Sequence, residues 1–149
     1  MQSNEATIRD ELKRIAKRND GVLTAEAVVE AARKEDSPLH SSFTWDNTEA
    51  ACKWRLHQAR NIILRVKVEV ADVKEHTVTI REWASLTPDR SEEGGGYREV
   101  VRVLRNEDQR AQLLADALAE LDRISEKYRT LSELAEVFEA IKAARRRSA

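Results

Sequence analysis

The chain has one cysteine, two prolines and four glycines in 149 residues, and aromatic side chains make up only 5% of it. A lone cysteine, Cys52, excludes an intrachain disulfide framework and fits a reducing compartment. So little proline and glycine excludes a loop-rich β protein and a low-complexity chain. No apolar run approaches the roughly 20 residues that a membrane span requires. The opening "MQSNEATIRDELKR" lacks the apolar stretch of a signal peptide, so a cytoplasmic protein with no membrane contact is expected. Charge of one sign is missing too. Lys and Arg number 26 against 27 Asp and Glu, a net −1, which gives no general pull toward nucleic acid or membrane.

What the chain has in abundance is charge of both signs, 36% of its residues. Together with few aromatics this predicts helices with heavily charged surfaces. The length suits one domain, or a small domain with an extension. The charge is mildly polarised: residues 1–67 carry 12 Lys/Arg against 10 Asp/Glu, and residues 68–149 carry 14 against 17.

Periodicity predicts the elements. Ile8, Leu12 and Ile15 fall at helical spacing in a first helix over about 5–18, and "NDG" at 19–21 ends it. Thr24 is the expected N-cap of a second helix whose buried stripe is Ala25, Val28, Val29 and Ala32. Pro38 interrupts the pattern, yet Leu39, Phe43 and Trp45 are too apolar for a free loop, so this connection should fold back onto the core. Asp46 and Glu49 are spaced as a capping box and open a third helix with Ala50, Trp54, Leu56, Ala59, Ile62 and Ile63 on its apolar side. The period then shortens to two over 65–83. Val66, Val68, Val70, Val78 and Ile80 face one way, as in a hairpin with its turn near 72–76. "SLTPDRSEEGGGY" reads as a loop. From Asn106 onward the pattern is helical. Asn106–Gln109 is one capping box, and Thr130–Glu133 is a second that would break the tail into a helical hairpin; a single long helix is the alternative.

The expected fold is mostly α with a β-hairpin. Residues 1–86 form a head, 87–105 a Gly-containing linker, and 106–149 a helical tail. Three helices followed by a hairpin is the element order of a winged helix-turn-helix. The link over 33–46 is much longer than the usual turn between its second and third helices.

The third helix carries the residues with chemistry to offer. Steps of three, three and four align Arg55, Gln58, Asn61 and Arg65, flanked by Lys53 and Arg60. Arg pairs bidentately with guanine, Asn and Gln with adenine, and Lys and Arg anchor phosphate. These six are the expected contacts to double-stranded DNA; a solvated face of an amphipathic helix has the same pattern. The charge-mixed hairpin, with Lys67, Lys74, His76 and Arg81 set against Glu69, Asp72, Glu75 and Glu82, does not favour a phosphate-tracking tip. In the tail, Leu114, Leu118, Leu121, Ile124, Tyr128, Leu131, Leu134, Phe138 and Ile141 recur near heptad spacing. They form the expected seam of a homodimer, or of a helix that grips a partner protein.

The run Leu23-Thr24, Val28-Val29, Ser37-Pro38-Leu39-His40, Phe43, Trp45-Asp46, Ala50-Ala51 and Gln58-Ala59-Arg60 resembles small proteins encoded by bacteriophages and prophages. The resemblance covers about a quarter of the chain strongly and implies an origin, with no chemistry attached. His40, Cys52, His57 and His76 lack the close paired spacing of a zinc site, and "GGGY" lacks the lysine and helix of a phosphate loop. No metal, no cofactor and no enzymatic activity are expected. The alternatives that remain are a phage-type DNA-binding protein dimerised by its tail, acting in regulation, replication or recombination, and an interaction or assembly factor working through the same tail.

Overall fold

The computed structural model describes residues 2–45, 48–72, 74–93 and 95–148. The chain forms two compact units, Met1–Arg105 and Asn106–Ala149.

In the first unit, α1 spans Gln2–Arg18 and turns Leu12, Ile15 and Ala16 inward. Its end is set by a left-handed turn: Asp20 and Gly21 have φ of 52° and 83°, and the Gly21 N–H returns to the Ala16 carbonyl at 2.8 Å. Only glycine takes that conformation without cost. The chain leaves as β1 (Val22–Leu23). Helix α2 (Ala25–Ala32) begins where the Thr24 side chain accepts the Ala27 N–H at 3.1 Å. Its buried residues are the expected Ala25, Val28, Val29 and Ala32.

The connection does fold back. A 3₁₀ turn at His40–Ser42 places Leu39 and Phe43 in the core beside α2 and α3. Helix α3 spans Glu49–Arg65 and is capped by Thr48, whose side chain accepts the Ala51 N–H at 3.2 Å. The capping residue expected from the sequence, Asp46, lies outside the described residues.

The hairpin forms as expected, β2 (Lys67–Ala71) against β3 (Thr77–Arg81), with Val68 opposite Ile80 and Val70 opposite Val78 on its half-buried face. Asp72 builds the turn by accepting the Lys74 and His76 N–H groups at 2.7 and 2.9 Å. Glu82 then kinks the chain out of the ladder and into β4 (Trp83–Ala84).

Residues 87–105 are not a linker. They hold α4 (Thr87–Ser91), β5 (Tyr97–Glu99) and α5 (Val100–Arg105), all within the first unit. β5 is the central strand of an antiparallel sheet ordered β1-β5-β4. The ion pair between buried Asp89 and Arg98, at 2.6 and 2.8 Å, ties α4 to β5. Gly96 lets β5 approach β1, because a Cβ there would sit 2.5 Å from Val22 Cγ1. A three-residue strand has too few side chains to show a period, so pairing partners distant in sequence decide its fate.

In the second unit, Asn106 accepts the Gln109 N–H at 2.9 Å and caps α6 (Glu107–Tyr128). The helix stops at Tyr128. A 3₁₀ turn (Ser132–Leu134) leads into α7 (Ala135–Ser148), which packs back on α6. The tail is therefore a helical hairpin rather than one long helix. The 3₁₀ turn follows Leu131 with no side-chain cap, so the Thr130–Glu133 box is not what breaks the helix. Among the described residues, no helix is long and apolar enough to cross a membrane.

Candidate nucleic-acid interface

Helix α3 turns Leu56, Ala59, Ile62 and Ile63 to the core as its hydropathy suggests, but its N-terminal turns depart from that pattern. Its buried residues are Arg55, Ala59 and Ile63, while Ala50 and Trp54, expected inside, are exposed; Trp54 is 53% exposed and Arg55 only 3%. The cause is the connection before it. The Trp45 indole N–H donates to the His40 carbonyl at 3.1 Å, and the two rings stack at 5.0 Å. His40 is itself anchored through Nδ1 to the Ala32 carbonyl at 2.9 Å. The Arg55 guanidinium lies 5.6 Å over the Trp45 ring and donates to the Thr44 carbonyl at 3.0 Å, with Cys52 Sγ 3.1 Å away. A buried cation is stable only with such partners.

Two members of the expected DNA-reading row are thus engaged in the fold. Arg55 holds the Thr44 carbonyl, and Gln58 Oε1 accepts the Thr44 N–H through a long bond of 3.4 Å. Arg55 in consequence cannot present its guanidinium to a groove. Cys52, by contrast, is exposed.

The face that does reach solvent is built on Trp54, His57 and Asn61, with Lys53 and Arg60 beside it. The Trp54 and His57 rings stack at 5.2 Å, and His57 Nε2 lies 3.0 Å from Asn61 Nδ2. Lys53 pairs with Glu49 at 3.1 Å on the exposed first turn. Arg60 and Arg65 are exposed and meet no carboxylate among the described residues. Residues 50–68 contain five Lys/Arg and no Asp or Glu. With Arg55 buried, four of the five cations face outward: Lys53, Arg60, Arg65 and Lys67.

The hairpin adds to them. Lys67 and Arg81 are directly opposed in the β2–β3 register and both are exposed. Like charges in that position repel, a cost that an anion seated between them would remove. Sequence periodicity missed Trp54 as an outward residue, because it assigns the most apolar side chain to the core.

The tail's seam is divided. Leu118 and Ile141 are buried in the α6–α7 hairpin, and Leu134 and Phe138 are half-buried. Leu114, Leu121, Ile124, Tyr128 and Leu131 are left 39% to 48% exposed. Among the described residues no group of His, Cys, Asp and Glu is arranged to hold a metal ion.

No family model, curated protein or solved structure matches the chain.

Proposed function

We propose that this protein is a DNA-binding module of phage or prophage type, with the solvent face of α3 set in the major groove and the hairpin base against the backbone. The observation that carries the proposal is the acid-free stretch 50–68, four of whose five cations face outward in a chain whose net charge is −1. In this reading Arg60, Arg65, Lys67 and Arg81 neutralise phosphates. Asn61 and His57 face base edges, with asparagine suited to adenine. Trp54 supplies an apolar contact beside them. Arg55 and Gln58 contribute indirectly, by fixing the connection against which α3 is oriented.

The test is fluorescence anisotropy with a labelled duplex across a salt series. Binding should weaken steeply with salt, and the pair R60A/K67A should lower the salt slope by about two, roughly one for each phosphate that is no longer neutralised. Absence of binding at low salt, or binding that the pair leaves unchanged, would overturn the proposal.

A second reading, a non-enzymatic assembly factor, is favoured by the uncovered α6 row. In the first reading a second copy covers that row; in the second, a second copy or a partner helix does. They part on whether DNA is bound.

A further inference from the structure

Away from α3, a cavity of about 440 Å³ opens between the C-terminal half of α1 and α5, with Trp83 of β4 in its wall. Its cationic lining is Lys13, Arg14, Lys17, Arg102 and Arg105. Some of that charge is neutralised locally. Fully buried Glu82 takes Arg9 at 2.8 Å and Lys13 at 3.2 Å; Glu99 takes Lys13 at 3.2 Å and Arg102 at 3.1 Å; Glu11 pairs with Arg14. Glu99 also lines the cavity, where it is taken up by Lys13 and Arg102, and Lys17 and Arg105 meet no carboxylate in an ion pair among the described residues, so two of the lining's five cations are left unpaired.

A second observation comes from the wall. Trp83 is 2% exposed, and its indole Nε1 is a buried donor with no acceptor among the described residues. Buried donors are nearly always satisfied. Besides Glu99, the remaining lining is small and apolar: Ala16, Gly21 and Val101. The volume is that of a small-molecule site, here with a mostly charged lining.

We propose that this cavity binds a phosphate-bearing small molecule of about nucleotide size. Its phosphate dianion sits between Lys17 and Arg105, close to the Trp83 side chain in the wall. The match is one of charge: two unpaired cations suit a terminal phosphate, which carries nearly two negative charges at neutral pH, whereas each phosphodiester of a nucleic acid carries one. A duplex is also too wide to enter a concavity of this size. The site shares no residue with the proposed DNA face, so either can fail without the other.

The experiment is an NMR titration of the full-length chain, ¹⁵N-labelled at the tryptophan indoles, with inorganic pyrophosphate as the probe. The Trp83 signal is assigned with W45F and W54F variants. The expected result is a saturable shift of the Trp83 indole resonance while those of Trp45 and Trp54 stay still. In the K17A/R105A variant the affinity should fall at least about tenfold, the loss of one charged hydrogen bond. Both residues are exposed, so the variant keeps its fold, which an unchanged indole spectrum without ligand verifies. K67A/R81A should bind pyrophosphate as the parent does. The proposal is overturned if sodium chloride at equal ionic strength reproduces the shift, if all three indoles move together, or if a short duplex displaces the pyrophosphate.

Discussion

Single side chains decide what surface this molecule offers. Arg55 is the clearest case, because its sequence environment advertises a DNA contact and its surroundings make it a bolt between α3 and Thr44. Replacing it with Ala leaves the Thr44 carbonyl unpartnered and uncovers the Trp45 ring, at a cost of about 2 kcal/mol. R55A should therefore lower the urea midpoint in chemical unfolding, and R55K should recover only part of it, since an ammonium lacks the planar fork that spans carbonyl and ring. An unchanged midpoint in R55A would show that Arg55 is not structural. Lys13 argues in the same terms about pH. Burial works against its charge, yet hydrogen bonds to Glu99 and Glu82 prevail and hold its ammonium above the ordinary lysine range. A raised lysine stabilises the fold fully below the unfolded-state value and loses that contribution only as pH climbs through the folded one. The Tm deficit of Lys13→Met should then be constant from neutral pH up to about pH 10 and shrink beyond it. A deficit that vanishes already near neutrality would contradict the pairing.

At the level of elements, local signals were legible wherever an element carries its own period and its own cap. α2 with Thr24, the β2–β3 hairpin with Asp72, and α6 with Asn106 all form on the residues expected. The illegible parts depend on distant partners. β5 is made a strand by β1 and β4, and Arg55 is drawn to the buried side of α3 by Thr44 and Trp45 of the connection before it. Helix α6 was half legible. Its apolar residues were plain, but the sequence could not divide them between α7 and solvent. The uncovered set, Leu114, Ala117, Leu121, Ile124 and Tyr128, holds heptad spacing on one side of α6. In an antiparallel pair centred on Leu121 and Ile124, Leu121 faces the partner's Ile124 and Tyr128 the partner's Ala117. Exposed Glu120 then lies beside the partner's Lys127 on both flanks. Light scattering should give the parent a mass twice 17.0 kDa, and L121K/I124K should give the monomer. A parent that stays monomeric at high concentration would refute the pairing.

For the whole molecule, the two units differ in what sustains them. The first has a shared core from Leu12 to Trp83, closed by buried polar ties at Glu82 and Asp89. The second has only Leu118 and Ile141 buried among its described residues, together with the Asp122–Arg145 ion pair on its surface. Two helices with so little between them do not offset the entropy of ordering over forty residues. Their persistence should instead follow association by mass action. The aromatic residues make this separable, since all three tryptophans lie in the first unit. On dilution, the far-UV helical signal should fall while the near-UV tryptophan signal holds. In L121K/I124K the far-UV signal should already be low at high concentration, with the near-UV band intact. Helicity that ignores concentration would mean that the hairpin stands alone. A joint fall of both signals would mean that the first unit leans on association as well, and the division of the molecule into a self-sufficient head and a dimer-dependent tail would have to be given up.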